Sequence, residues 1–254
     1  MNSKLVYAGV VLLLFASVAL AQEEDDLSFG ITSDFYGKYI WRGQNLSDDP
    51  VYQLGGSMTW GKFTLGIWGN MDLTSYNDNS GRFSEVDYSF DFSDDLPGIE
   101  GVGYSVGVIY YDFPGTAVRD TTEVYWGLGF DVLLSPTVTV YHDVDEAQGT
   151  YVNVGLSHSI EKIGQLTEDI PVGMDIGMGI GWASSSYNNY YWGTDKSKMQ
   201  DLSISVAFPF EAAGWSFTPS LNFVTLLSDD IRDTDAYRTE SDYFFAGISM
   251  SKSF

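Results

Sequence analysis

The sequence predicts an all-β protein, a transmembrane up-and-down antiparallel β-barrel of about twelve strands. Apolar and polar residues alternate with period two along most of the chain, and 16% of the residues are aromatic, with 27 glycines. After the first residues, the chain holds no stretch of the roughly 18 apolar residues that a transmembrane helix requires. If the chain enters a membrane, it must therefore do so as strands, with every backbone polar group paired inside a closed barrel.

Residues 1–21 have the features of a secretory signal peptide. Lys4 precedes an apolar run from Leu5 to Val18, and the small residues of a cleavage site follow at 19–21. The next residues, 22–26, are mostly acidic, the opposite of the basic flank that stops the transfer of a membrane helix. We expect cleavage after Ala21, which leaves residues 22–254 as a single outer-membrane β-barrel domain.

The charge and the cysteine content narrow the class of protein. The formal net charge is −23, and the 12 basic residues are scattered. A nucleic-acid partner is excluded, because binding phosphates needs clustered Lys and Arg. The chain has no cysteine, which suits a barrel that is closed by its own hydrogen bonds.

The alternation is clearest between Val172 and Ala183, where apolar residues alternate with Gly and Asp. A helix would spread these residues around its circumference, whereas a strand separates them on two faces. The same pattern predicts twelve strands, an even number as expected for a single-chain bacterial barrel, at 28–41, 51–60, 62–72, 83–92, 102–112, 122–133, 136–144, 149–160, 172–183, 199–210, 215–226 and 242–254.

The connections between these segments predict which end of the barrel faces the periplasm. Those around Gly61, Ser135 and 211–214 are short, whereas most connections at the opposite end are long and polar. Outer-membrane barrels have short turns and both termini on the periplasmic side. We therefore expect an outer-membrane location in a Gram-negative-type bacterium, with both termini periplasmic. The connections at 93–101 and 161–171 are longer than this rule predicts.

A soluble β-sandwich also has one apolar face, but two features favour a barrel in lipid. Phe254 ends the last alternating segment, and a terminal aromatic of this kind resembles the outer-membrane assembly signal. Aromatic residues also lie where predicted strands end, as in an interfacial girdle; the tryptophans assigned to it are Trp41, Trp60, Trp68, Trp182 and Trp215.

Several stretches resemble a known family. They are Ser33-Asp34-Phe35-Tyr36, Trp41-Arg42-Gly43, Pro50 to Gly56, Gly66 to Asp72, Glu85-Val86-Asp87, and Ser135 to Tyr151. On these residues the chain resembles the TorF-type porin family (Gcw_chp), bacterial outer-membrane β-barrels of unknown specificity. The resemblance spans most of the mature chain and implies a barrel fold, an outer-membrane location and porin activity.

If the apolar face meets lipid, the polar face lines the lumen. We expect Lys38 and Arg42, near the outer end of the first strand, to face a ring of carboxylates. The residues assigned to this lumen or constriction are Asp34, Lys38, Arg42, Asp72, Glu85, Asp87, Glu123 and Asp201.

Charged rings set selectivity in channels, and the excess of carboxylates predicts a passive channel for small solutes or ions with a mild cation preference. The same charges can instead form a salt-bridge network that fills the lumen of a non-conducting structural or surface-recognition barrel. Twelve strands lie between the filled eight-stranded barrels and the open sixteen-stranded porins, so strand number leaves both functions open.

The sequence predicts no enzyme, no catalytic residue and no cofactor. A twelve-stranded outer-membrane phospholipase places a Ser two residues after its His, but Val144 follows His142 at that spacing, and the serines beside His158 point to the opposite face. The acidic stretches at 77–81 and 229–242 lack the spacing of an EF-hand, and we expect no metal site. The expected partners are outer-membrane lipid and lipopolysaccharide, the outer-membrane assembly machinery, and small solutes or ions.

Overall fold

A computed structural model of the protein describes residues 27–254 and confirms the predicted fold, a closed antiparallel β-barrel of twelve strands. The predicted signal peptide at 1–21 lies outside the described residues. The twelve wall strands are β1 (Leu27–Tyr36), β4 (Val51–Trp60), β5 (Phe63–Asp72), β6 (Arg82–Asp95), β7 (Val102–Asp112), β8 (Thr121–Phe130), β9 (Thr137–Asp143), β10 (Thr150–Thr167), β11 (Ile170–Ala183), β12 (Lys198–Ala207), β14 (Trp215–Leu226) and β15 (Asp242–Ser253).

Three short strands and two short helices complete the described part of the chain. They are β2 (Tyr39–Trp41), β3 (Gln44–Ser47), β13 (Phe210–Ala212), α1 (Ser185–Trp192) and α2 (Asp229–Arg232). No helix within 27–254 is long and apolar enough to cross a membrane.

Each wall strand pairs with its neighbours in the chain, and two pairings close the barrel. β1 pairs with β15 on one side and with β4 on the other. β12 pairs directly with β14, because β13 covers only the first residues of β14. Closure leaves no free strand edge in the wall, so the barrel needs none of the charged or proline-bearing edges that open sheets use.

The exposure of side chains shows which face of the wall points outward. The opposed pair Leu65 and Phe90 on β5 and β6 is 47% and 43% exposed. The opposed pair Asn70 and Glu85, on the other face of the same strands, is only 1% and 4% exposed. The apolar side chains therefore lie outside and the polar ones inside. Exposed apolar side chains recur on the other wall strands, and an apolar outer face with a polar inner one is typical of a membrane barrel.

The two ends of the barrel differ in their connections. At one end, the turn end, the connections are mostly tight, and Phe29 of β1 is joined to Phe254, which follows β15, through hydrogen bonds of 3.1 and 2.9 Å. At the other, the loop end, six longer connections span residues 37–50, 73–81, 113–120, 144–149, 184–197 and 227–241. The loop end is where the polar side chains are most deeply buried.

One expected long connection is instead a continuation of two strands. β10 and β11 extend to Thr167 and Ile170, which leaves only residues 168–169 between them where a connection at 161–171 was predicted. Their pairing shifts register between Ile160 and Gly164. A β-bulge inserts an extra residue and so breaks the period-two pattern. For this reason the alternation predicted strands that are shorter than β10 and β11.

The predicted first strand, 28–41, was too long. β1 ends at Tyr36, and residues 39–47 form the separate hairpin β2–β3, which turns at Arg42 and Gly43 with φ angles of 48° and 79°. Two consecutive positive φ angles are typical of a type I′ turn, where Asn-Gly is the usual pair. Here Arg occupies the position that Asn usually takes, so the sequence does not predict the turn. The predicted positions of Lys38 and Arg42 on a wall strand were wrong.

Candidate constriction at the loop end of the barrel

The hairpin β2–β3 folds into the mouth of the barrel. Residues 39–42 contact side chains on seven of the twelve wall strands, from β5 to β10 and on β12, which no element outside the barrel could do. These wall residues are Trp68, Glu85, Tyr111, Glu123, Tyr141, Tyr151 and Gln200.

Arg42, at the tip of the hairpin, forms a buried ion pair with Glu123 on β8. Its two terminal nitrogens donate to the two carboxylate oxygens at 2.7 and 2.8 Å, and the side chains are 9% and 1% exposed. Paired parallel bonds of this kind are the strongest form of Arg recognition. Burial alone would lower the pKa of Arg42, but the Tyr187 hydroxyl and the Glu123 carboxylate raise that pKa well above its usual value. The guanidinium therefore stays charged.

Aromatic rings surround the same guanidinium. Its central carbon lies 4.4 Å from the ring centre of Trp41, 4.3 Å from that of Tyr141 and 4.5 Å from that of Tyr151. Tyr187 is 5.9 Å away. All four lie within the roughly 6 Å over which a ring face attracts a cation. We call the four residues that the wall and α1 supply, Glu123, Tyr141, Tyr151 and Tyr187, the guanidinium cage.

The helix α1 brings Tyr187 into the mouth. Ser184 caps its first turn by accepting a hydrogen bond from the Tyr187 backbone N–H at 3.4 Å, and Gly193 ends it with a φ of 71°. A Cβ on Gly149 would lie 2.6 Å from the Tyr187 Cα, so the helix can dock only against a glycine. Burial raises the pKa of Tyr187, so its hydroxyl remains protonated. The alternation pattern does not predict α1, although Ser184 and Gly193 are the residue types that begin and end helices.

Three of the predicted lumen carboxylates are bound by neutral donors. Glu85 accepts a hydrogen bond from the Tyr39 hydroxyl at 2.9 Å, and Asp201 accepts one from Tyr151 at 3.0 Å. Asp72 accepts bonds from Asn77 at 3.1 Å and Asn70 at 3.3 Å. All three are buried on the inner wall. Asp87, next to Glu85 on the same face, has a buried carboxylate oxygen without a hydrogen-bond partner.

The other two predicted lumen residues lie apart from this cluster. Lys38 pairs with Asp48 inside the loop and is partly exposed, so it does not face the wall carboxylates. Asp34 lies lower on the inner wall, opposite Ser249 of β15. Of the two cations expected at the constriction, the structure therefore brings only Arg42 to the carboxylates.

Toward the turn end the side chains on the inner face become smaller. Gly66 lies opposite Ser89, Ser105 opposite Gly127, and Thr137 opposite Gly155. A cavity of about 570 Å³, lined in part by residues 93, 105, 127, 137 and 139, opens at this end. The lumen thus narrows from small hydroxyl side chains to the packed aromatic and charged mouth.

The tryptophans assigned to an interfacial girdle separate into two groups. Trp60 is 62% exposed at the turn end, and Trp182 and Trp215 lie on the outer face of their strands. Trp41 packs inside the mouth against Tyr111 and Tyr191, and Trp68 packs against Tyr39. Trp41 and Trp68 are therefore lumen residues, because one belongs to the hairpin and the other shares the inward face of β5.

Neither histidine lies in the mouth. His142 bonds to the Thr150 hydroxyl at 2.9 Å, and His158 lies opposite Ile176 on the outer face. Among residues 27–254, no group of three or more His, Asp or Glu side chains is placed to hold a metal ion.

Comparison with known proteins identifies the fold. No protein-family model and no curated protein sequence matches the chain. Among solved structures, the NanC porin superposes with a TM-score of 0.51 at 10% identity, covering 88% of this chain and 98% of that one. LpxR from Salmonella typhimurium superposes with a TM-score of 0.50 at 11% identity, covering 89% and 99%. At such identities the likeness concerns the fold alone. The chain has the fold of an outer-membrane β-barrel.

Proposed function

We propose that the protein is a porin-like outer-membrane channel for the passive diffusion of small solutes or ions, with its constriction at Arg42 and Glu123. One observation carries this proposal. The turn end of the barrel is open and partly lined by small side chains, and the inward-folded hairpin places a buried ion pair, Arg42 with Glu123, at the loop end. The likeness to the NanC porin in fold supports it.

The charges at the constriction suit a mild preference for cations. Arg42 is balanced by Glu123, whereas Glu85 and Asp201 have no basic residue among their hydrogen-bond partners within residues 27–254. A ring with excess negative charge attracts cations and repels anions in a narrow, poorly screened lumen. We therefore assign the lumen role to the carboxylates of the loop end, with Arg42 as the cation that shapes the local field.

We place the turn end in the periplasm, with both termini, and the loop end outside the cell, following the rule for barrels of this class. The TorF-type porins are the family that the sequence resembles. The apolar outer wall suits lipid and lipopolysaccharide as surroundings, and Phe254, 65% exposed at the end of β15, suits recognition by the assembly machinery. No catalytic role is proposed.

Planar-bilayer recording of the refolded, purified protein tests this function. We expect discrete current steps and a reversal potential of the sign given by cation selectivity. Arg42→Gly should enlarge the current and the cation preference, since it removes the guanidinium from the constriction without straining a positive φ. Arg119→Ala, which breaks an exposed pair with Glu146, serves as the matched control. Absence of current from protein that migrates as a folded, heat-modifiable barrel on SDS gels would refute the proposal.

A second candidate is a non-conducting barrel whose loop end is a recognition surface. The dense packing of the mouth favours it, since Glu123, Asn188 and Gln200 are fully buried. Replacing residues 38–48 by a short Gly-Ser linker distinguishes the two. A plugged barrel should conduct only after this replacement, whereas a constricted channel should conduct before it and more strongly afterwards.

A further inference from the structure

We infer that the guanidinium cage is a binding site for solutes that carry a guanidinium group, and that Arg42 occupies it as a tethered internal competitor. This inference rests on the proposed function in one respect, because the solute reaches the cage through the lumen or the mouth. To the proposed channel it adds a class of ligand, guanidinium solutes. It also adds a form of regulation, since a solute that takes the place of Arg42 releases the hairpin from the constriction.

The recognising groups and the recognised cation belong to different parts of the molecule. Glu123, Tyr141 and Tyr151 lie on the adjacent wall strands β8, β9 and β10, and Tyr187 lies on the docked helix α1. Tyr111, on β7, donates a hydrogen bond to Glu123 at 2.8 Å and holds the carboxylate in place. The hairpin supplies the guanidinium and one further ring, that of Trp41. If the hairpin withdrew, the wall would retain a carboxylate faced by three rings.

The hairpin is less firmly built than the cage. Its strands form a separate two-stranded sheet with three residue pairs and a register shift, outside the ladder of the barrel. A two-stranded hairpin of this size is marginal by itself. Arg42 also adopts a φ of 48°, a conformation that favours Gly or Asn over Arg. The hairpin is held by one ion pair with the wall, that of Arg42, together with ring packing of Tyr39 and Trp41 and single hydrogen bonds from Tyr39 and Gln200. Loss of the Arg42 contacts therefore removes its strongest anchor.

The geometry selects a guanidinium group over other cations. The carboxylate accepts two parallel N–H bonds, which match the planar fork of a guanidinium, whereas an ammonium group presents a point charge. The rings of Tyr141 and Tyr151, 4.3 and 4.5 Å from the central carbon, cover a flat cation. A sodium ion has neither paired N–H donors nor a flat face.

The test measures binding of methylguanidinium chloride to the refolded full barrel in nanodiscs by titration calorimetry, with methylammonium and sodium chloride as comparison solutes. In Arg42→Gly the cage is vacant, and we expect methylguanidinium to bind about tenfold more tightly than to the wild type, because no internal competitor must be displaced. Adding Glu123→Gln should abolish this binding. Arg119→Ala should bind as the wild type does. Methylammonium should bind more weakly than methylguanidinium.

A second measurement uses the absence of cysteine from the chain. Ser47, buried in β3, becomes a single reporter thiol as Ser47→Cys in an otherwise unchanged protein. We expect methylguanidinium to accelerate its alkylation by a maleimide, and sodium chloride at the same concentration to have no such effect. An unchanged rate counts against displacement of the hairpin even if Arg42→Gly does not refold.

The inference is overturned if Arg42→Gly binds methylguanidinium no better than sodium, or if Glu123→Gln leaves the binding intact. Its failure is separable from failure of the channel. Current through the wild-type protein without any methylguanidinium binding to Arg42→Gly rejects the cage and leaves the channel proposal standing. Binding without current rejects the channel proposal and leaves the cage.

Discussion

Arg42 and Glu123 are the residues on which the mouth depends most. Both are buried, and removing one charge leaves the other without a counterion, which typically costs about 3–5 kcal/mol. We therefore expect Glu123→Gln to lower the free energy of unfolding by about 3 kcal/mol, since Gln keeps the shape but not the charge. Denaturant unfolding in detergent measures this change. The matched control is Glu146→Gln, which breaks the exposed pair with Arg119 and should leave stability unchanged. Equal effects of the two variants would contradict this view of the mouth.

The sequence predicted the face of these residues better than their partners. Period-two alternation placed Glu85, Glu123 and Asp201 on the inner wall, because the face of a strand residue depends only on its position along the strand. The contact between Arg42 and Glu123 joins residues 81 apart in the chain. This contact depends on the turn at Arg42 and Gly43, and Arg-Gly is not a pair that predicts a turn. No local sequence pattern could therefore predict the contact.

At the level of elements, the docking of α1 depends on a missing side chain. In Gly149→Ala the new Cβ would lie 2.6 Å from the Tyr187 Cα, a backbone atom that cannot move without the helix. We expect α1 to shift outward and the amides of residues 185–192 to exchange hydrogen faster, as mass spectrometry can measure. Gly129→Ala on the inner face of β8 is the control, because its Cβ would meet nothing within 4 Å. Normal protection of α1 in Gly149→Ala would show that the helix is not held this closely.

The loop elements were the least predictable part of the fold. The sequence of α1, SSYNNYYW, has no apolar stripe at helical spacing, and only its two caps mark it. The hairpin β2–β3 continues the alternation of β1 almost without a break, so the pattern extended the strand instead of ending it. Both elements owe their positions to contacts with the inner wall, which a local pattern does not encode.

Two loops at the mouth are joined by Asp230 on α2. Lys196 and Lys198 both pair with its carboxylate, and these bonds lower the pKa of Asp230. A lowered pKa means that the pairing contributes above the ordinary Asp range and is lost only when the pH falls through the lowered value. We expect a carbon-13 NMR titration of Asp230 to have its midpoint below the ordinary value for Asp of about 3.9. We also expect Asp230→Asn to speed trypsin cleavage after Lys196 and Lys198 at neutral pH. Asp229→Asn, the neighbouring exposed acid, is the control.

For the whole molecule, alternation and connection lengths predicted the number of strands and their closure, because each wall strand must present one face to lipid. They could not predict how the lumen is filled. Filling depends on where loops fold, and here the hairpin and α1 convert the loop half of the barrel into a packed mouth while the turn half stays open. Strand number alone therefore does not determine conductance.

The excess of inward carboxylates predicts the ion selectivity of the barrel. At low salt we expect cation selectivity, and we expect it to weaken between 0.1 M and 1 M salt as the screening length falls from about 10 Å to about 3 Å. Asp201→Asn should reduce the selectivity at low salt, because it removes a charge from the inner face of β12. Asp94→Asn makes the same chemical change at the turn end, where Asp94 pairs with Lys62, and should leave selectivity unchanged. Reversal potentials under a salt gradient measure all three proteins. Anion selectivity in the wild type, or an equal effect of the two variants, would mean that the loop-end carboxylates do not set the field along the lumen.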